Sequence, residues 1–431
     1  MITAHDTAIA VSRPIAPQVQ ATPLTERILL LVLFVTVLAS SVAFIEPSPH
    51  DALMGVLALA CLAAGVRFPR LLTIPLVLLV IWNVAGLIAL VPVVGQEKTG
   101  QYTATSIYLA IAALLFACIL AQNTMQRLAA MSAAYVLTAT VIALAGIAGY
   151  FSVFPRAHDL FATFDRALGA FKDPNVFGPF LIWPALIVLE RMIVRRIRII
   201  DIVITGILAL ALLVSFSRGA WFHAAVSIAV TLALAFITAP TQRARVRIFN
   251  LGIIGILALA AFVAILLSFE SIRTMFEQRA QLIQYYDVGD GGRFNLQQLA
   301  LDAVLNFPFG MGPFEFARVH GLQQHNVYLQ AFLVYGWAGG MAYIVLLLAT
   351  LGIGFRRLFV PTPWQPYLIT AYATFVGEVI EGFVIDSDHW RHFYLLLGVI
   401  WGLATATVGR SLPNQAPGRH HFDVVSHVRA A

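Results

Sequence analysis

Charge is what this chain has least of. Only 11% of its 431 residues are Asp, Glu, Lys or Arg, against 60% apolar, where a soluble protein carries about 25% charged residues. That shortage excludes an ordinary water-soluble domain. Lysine is nearly absent, with Lys98 and Lys172 the only two. Cysteine is limited to Cys61 and Cys118, both inside apolar runs. They read as small core residues, with no disulfide framework and no zinc site. The apolar runs do not alternate with polar residues, which excludes a membrane β-barrel.

What remains is a series of long apolar runs, and these define an all-α polytopic membrane protein. They fall at about 28–45, 52–66, 71–91, 103–121, 128–150, 175–190, 200–216, 219–238, 248–268, 325–350, 365–385 and 390–408. The expectation is about twelve transmembrane helices, the second and sixth of them short. The first run is too long and too far from the terminus for a cleaved signal peptide. Pro75, Pro179 and Pro184 stand near helix starts, where proline is tolerated, or kink the helices they enter. Residues 1–26 and 410–431 read as disordered tails around a transmembrane domain at 27–409. No internal repeat is visible, which weighs against a transporter built from inverted halves.

The net charge is +6 and the isoelectric point about 9.5. In a membrane protein this reflects cytoplasmic loops rich in Lys and Arg and implies no nucleic acid partner. With the amino terminus placed in the cytoplasm, most of the 27 Lys and Arg residues fall inside, clearest in RMIVRRIR at 191–198 and QRARVR at 242–247. An even number of spans then puts both termini in the cytoplasm. The exceptions are Lys98, Arg156, Arg166, Lys172, Arg218, Arg273, Arg279, Arg293, Arg318 and Arg391. Nearly all lie in the loops 151–174 and 269–324 or at outer span ends. A cationic outer vestibule suits an anionic substrate; the competing reading is that long loops escape the charge rule.

Five stretches carry residues able to do chemistry. The loop 269–324 is the longest connection, and long loops are usually functional or disordered. Within it, ESIRTMFEQRAQLIQYY at 270–286 has helical apolar spacing and predicts an amphipathic helix on the outer leaflet. DVGDGG ends that run, and Arg293 opens a second helix, RFNLQQLALDAVLNF. A helix start attracts anions, and an Arg placed there makes a diphosphate clamp. In SFSRGAWF at 215–222, Arg218 sits at the outer boundary between two spans. It is either a functional ionisable residue or an Arg snorkelling to headgroups.

In QQHNVYLQ at 323–330, His325 opens the tenth span, with Asn326 and Tyr328 able to orient a sugar or the imidazole. Histidine is the commonest general base, although one His at a helix start is more often just an interfacial polar residue. In FKDPNVFGPF at 171–180, Lys172 adds an outer cation and Asn175 is a candidate cap of the sixth span. In EVIEGFVIDSDHWRH at 378–392, Glu378 and Glu381 share one helix face, and Asp386, Asp388, His389 and Arg391 follow in the outer turn. Adjacent Asp388 and His389 are poorly spaced as metal ligands, so no metal site is assigned. Gly336 and Gly340 in GWAGG form a small-xxx-small pair, read as helix packing.

Taken in order, DPN-F-G entering a span, SRGAW between two spans, GGR, FPFGMGPFEF and HN opening a span resemble the O-antigen ligase and polymerase superfamily of bacterial envelope glycosyltransferases. These elements cover about 171–340. The resemblance implies a C-type glycosyltransferase-like fold in the bacterial inner membrane, with a periplasmic active site partly roofed by the long loop. It implies an undecaprenyl-diphosphate-linked glycan as donor, and a glycan, lipid A-core or a protein as acceptor, amid membrane lipids. Arg218 and Arg293 resemble the family's diphosphate-holding arginines, and His325 its catalytic base in an inverting transfer. Lys172, Asn175, Asn326, Tyr328 and Arg391 are the accompanying candidates for substrate binding. No metal and no cofactor are expected. The same family contains lipopolysaccharide ligases and exopolysaccharide polymerases; the DPN element leans toward the latter. The rival class is a lipid-linked glycan flippase, which would carry its cations along a central path and not at one face.

Overall fold

The computed structural model describes residues 23–45, 47–281 and 292–408. Apart from one hairpin it is helical. Helices run in the order α1 (Leu24–Leu38), α2 (Pro49–Ala63), α3 (Thr73–Leu90), α4 (Thr99–Leu120), α5 (Thr124–Tyr150) and α6 (Ala157–Phe161). The strands β1 (Ala162–Thr163) and β2 (Arg166–Ala167) follow. Then come α7 (Pro174–Phe180), α8 (Ile182–Val194), α9 (Ile199–Val214), α10 (Arg218–Thr238), α11 (Gln242–Leu266) and α12 (Glu270–Arg279). The chain closes with α13 (Arg293–Asn306), α14 (Glu315–His320), α15 (Val327–Leu358), α16 (Gln365–Glu381) and α17 (Arg391–Thr407). The 1–22 part of the expected amino-terminal tail, the 410–431 tail, and the 282–286 end of the amphipathic run lie outside the described residues.

Every apolar run has become helix, because only a helix satisfies its own backbone in lipid. Among the described residues, eight helical segments are long and apolar enough to cross a membrane. The helices α2 and α9 are apolar but shorter. The sixth run is divided: α7 and α8 meet at Leu181, between Pro179 and Pro184. Proline removes a donor and crowds the preceding turn, so the break falls between the two.

The bundle is knit by the pairs α3 with α15, α4 with α17, and α10 with α16. Polar side chains help where apolar lipid gives helices no reason to associate. Trp82 on α3 donates to Ser106 Oγ on α4 at 3.0 Å, and Tyr335 on α15 lies 3.2 Å from the same hydroxyl. Arg127 on α5 holds both carboxylate oxygens of Glu26 on α1 at 2.9 and 2.8 Å, out of contact with water.

The GWAGG motif plays a different part from the one its spacing suggests. Gly336 breaks α15, with φ 65° and ψ −173°, a conformation open essentially to glycine. The loop after α13 inserts there. Met311 N donates to Leu333 O at 2.6 Å, and Trp337 N to Pro308 O at 2.8 Å. Backbone groups freed by the break are thereby satisfied by the FPFGMG segment. A Cβ on Gly336 would stand 2.6 Å from Pro308 O. Gly336 is therefore a helix break filled by a loop, whereas a Cβ on Gly340 would meet the Phe332 ring of the same helix.

Candidate active site

Three helix starts and one helix end converge on a cleft of about 900 Å³. The first start is that of α10. Phe216 takes a left-handed turn (φ 48°) after α9, and Ser217 caps α10 by accepting from Ala220 N at 3.4 Å. That turn delivers Arg218 as the first residue of the helix. Its guanidinium donates from Nη1 to Gln281 O at 2.7 Å, tying α10 to the segment after α12. The second start is that of α13, where Gly292 precedes Arg293. Both arginines line the cleft.

The third start is that of α15, where Asn326 is the cap. Its Oδ1 accepts from Tyr328 N and Leu329 N at 3.0 and 3.1 Å, and its Nδ2 donates to Phe383 O at 3.2 Å. His325 stands one residue before it in a left-handed conformation, φ 49°. Non-glycine residues held this way are uncommon and collect at functional sites. The ring of His325 is 44% exposed, and its Nδ1 is 3.5 Å from Asp386 Oδ2. Asp386 in turn accepts from Asn326 N at 2.9 Å through Oδ1. Burial raises the Asp386 carboxyl above the ordinary range, and the neighbouring His325 offsets part of that rise.

Two further arginines, Arg166 and Arg279, line the same cleft. Arg166 donates to Ser215 O at 2.9 Å and to Asn175 Oδ1 at 2.8 Å, so the hairpin, the end of α9 and the start of α7 meet at one guanidinium. Glu381 is the only carboxylate lining the cleft among the described residues. The rest of the wall is apolar and includes Trp221, Phe276, Phe294 and Phe383. Trp221 stacks on Phe276 at 5.5 Å between ring centres. Four guanidiniums facing an apolar wall suit an anionic group attached to a hydrocarbon.

Of the residues singled out from the sequence, the fold brings Arg218, Arg293, His325 and Asn175 to this cleft. Lys172 and Arg391 line a different, smaller cavity of about 140 Å³, together with His50, His392 and Tyr135. Arg391 is engaged there with Asp51 of α2 at 3.0 Å. The cap of α7 is Asp173, which accepts from Asn175 N at 2.7 Å. Asn175 is the second residue of that helix, and its side chain is free to serve Arg166 because it does not cap. Asn326 is spent on capping α15. Tyr328 donates its hydroxyl to Val379 O and lies 4.5 Å from the ring of Phe383. Neither lines the cleft.

The sequence marked Arg166 and Arg279 among the outer cations, and Glu381 and Asp386 in the stretch 378–392, without assigning them to a site, and it passed over His223. The two arginines carried a signal, since both break the loop-charge rule. His223 carried none, because its partner is 158 residues away. Among the described residues, no three His, Cys, Asp or Glu side chains are grouped so as to hold a metal ion.

The fold and the cleft thus define a polytopic α-helical membrane protein with a cationic, partly apolar site. Residues 203–344 match the family model described as O-antigen ligase. The match supports a membrane ligase role of the glycosyltransferase type. It runs from α9 into α15 and so contains Arg218, Arg279, Arg293 and His325. Arg166, Asn175, Glu381 and Asp386 lie outside it. No curated protein matches the chain significantly.

Proposed function

We propose that this protein transfers a glycan from undecaprenyl diphosphate to an acceptor hydroxyl at the periplasmic face of the bacterial inner membrane, with both termini cytoplasmic. The observation that carries the reading is the cleft itself, where Arg166, Arg218, Arg279 and Arg293 share one wall system with His325 and an apolar surface. The guanidiniums take the two negative charges of the diphosphate, and the apolar wall takes the start of the lipid chain. His325 has Nδ1 on the side of Asp386, which leaves Nε2 for the acceptor. Nε2 removes the hydroxyl proton as the acceptor oxygen attacks the anomeric carbon. The bond from that carbon to the diphosphate oxygen breaks on the opposite side, so the configuration inverts. Charge that develops on the leaving diphosphate is met by arginines already in place, the arrangement that lowers such barriers most. This chemistry calls for no metal ion.

Asp386 holds the imidazole and balances the charge His325 gains, as the third member of a triad does. Acceptors compatible with this site are a growing glycan, lipid A-core or a protein hydroxyl, which makes the enzyme a polymerase or a ligase.

The test is a transfer assay with purified protein, an undecaprenyl-diphosphate-linked oligosaccharide and chelator. A ladder of products from donor alone, lost in His325→Ala, identifies a polymerase. A single addition that needs lipid A-core or another acceptor identifies a ligase. Equal transfer by His325→Ala removes the base from the mechanism. Absence of transfer with every acceptor, together with movement of the donor between leaflets, would replace the enzyme by a transporter.

A further inference from the structure

Two buried ionisable residues beside the cleft have no part in the mechanism above. His223 on α10 and Glu381 at the end of α16 are both almost wholly inaccessible, with Nδ1 to Oε2 at 2.8 Å. Ionisable side chains inside a membrane bundle are costly and mark function by default. The other ring nitrogen, Nε2, lies 2.9 Å from Thr374 O. A carbonyl only accepts, so Nε2 carries a hydrogen. The short Nδ1 to Oε2 contact then needs one more proton between ring and carboxyl. Whichever atom holds it, the pair is neutral, and Glu381 adds no net negative charge to the arginine-lined cleft.

The placement of the pair is specific. Gly219, the residue after Arg218, is where a Cβ would stand 2.6 Å from Glu381 Oε1. His223 follows Gly219 by one turn on the same helix face. One carboxyl group therefore meets the first turn of α10 at two points. Gly377 on α16 permits this closeness, since a Cβ there would run into the His223 ring and Ser227 Oγ. The same end of α16 also grips the start of α15: Val327 N donates to Gly382 O at 2.9 Å and to Ile385 O at 3.1 Å. Five residues beyond Glu381 stands Asp386, the partner of His325.

We propose that Glu381, held by His223, is a positioning residue that sets the helix start bearing Arg218 at a fixed distance from the segment bearing His325 and Asp386. The proposal rests on the reading that Arg218 and His325 act on one substrate. Glu381 touches no reacting atom. It joins α10 to the end of α16, which in turn holds α15. A carboxyl serves here because one oxygen fills the space that a side chain at Gly219 would take, while the other meets His223.

Two readouts on the full chain in lipid nanodiscs test this. The first is hydrogen exchange of the 216–224 backbone, which needs no substrate. The second is the transfer assay with its pH profile. Glu381→Ala should raise exchange in the first turn of α10 about tenfold, as expected for a local opening. It should lower kcat about 100-fold, the size of a misplacement near 1 Å. Glu381→Gln, whose amide can still meet Nδ1, should restore both readouts and leave the pH profile unchanged. Wild-type exchange and turnover in Glu381→Ala would overturn the proposal. So would a Glu381→Gln enzyme as poor as Glu381→Ala, which would make the proton and not the position the requirement.

Should Glu381→Ala not fold, Gly219→Ala asks the question from the other side by adding a methyl against Oε1. It should lower turnover at least about tenfold with the fold retained, and wild-type turnover there overturns the proposal. If the wild-type protein transfers nothing, the functional reading fails, and the exchange measurement still decides the positioning claim.

Discussion

The two cavities at the site end of the bundle contain the same kinds of residue and do different things with them. The larger is lined by Arg166, Arg218, Arg279 and Arg293 with His325. The smaller is lined by Lys172 and Arg391 with His50 and His392. In the smaller one, Arg391 is matched to Asp51 by contacts at 3.0 and 3.1 Å to its two oxygens. His50 Nδ1 is 2.9 Å from Thr36 O. That set holds α1, α2 and α17 together. In the larger one, the one lining carboxylate among the described residues is Glu381, which meets His223 at 2.8 Å. Cationic residues at one membrane face are therefore not one site. What divides them between the two cavities is their position around the bundle.

The largest expected effects test the cleft side of this contrast. Arg218→Ala and Arg293→Ala should each lower transfer by about 10²- to 10³-fold, the usual result of removing a group aimed at developing charge. His325→Ala should cost about 10²- to 10⁴-fold. Measured with saturating donor, full turnover in any of the three would end the assignment of that residue.

Asp386→Asn should come next, with turnover down about tenfold or more as His325 loses its ionic partner. It should also change stability against pH. A carboxyl raised by burial contributes stability that is complete below its unfolded value, about 3.9, and is lost as pH rises through the folded value. Thermal melts across that window should fall for the wild type and stay flatter for Asp386→Asn. Identical slopes would mean that Asp386 is not buried as described.

Gly336→Ala forces a side chain into a glycine-only conformation and against the inserted loop. It should cost about 1–3 kcal/mol and weaken the α13–α15 framework beside the cleft, which differential melting would detect. Arg391→Ala is the complementary probe of the smaller cavity. It should lower stability by about 1–3 kcal/mol by leaving Asp51 without its cation, while transfer changes less than about threefold. Lys172→Ala should alter transfer as little. A hundredfold loss of activity in either would merge the two cavities into one site and break the comparison.

Much of this was visible in the chain. Apolar runs longer than about 18 residues can be little else than membrane helix, and each one is helical. The breaks in the loop-charge rule pointed to Arg218 and Arg293, and the HN pair to His325. The same rule also gathered Lys172 and Arg391, because it reports depth in the membrane and says nothing of position around the bundle. Asn326 and Tyr328 were drawn in by their nearness in sequence to His325, but Asn326 satisfies free N–H groups of its own helix start, and Tyr328 bonds Val379 O of α16.

Local chemistry in the sequence thus determined the class of protein and the positions of its helices, and it marked the candidate arginines and histidine. The tertiary structure decided which of them meet. Gly336 looked like a packing glycine until a loop from 25 residues upstream was seen to fill its break. Glu381, noted in the sequence only beside Glu378, and His223 became a pair only when α10 crossed α16. Periodicity and charge act along the chain and can be read from it, whereas a side-chain contact across 158 residues depends on the packing of whole helices.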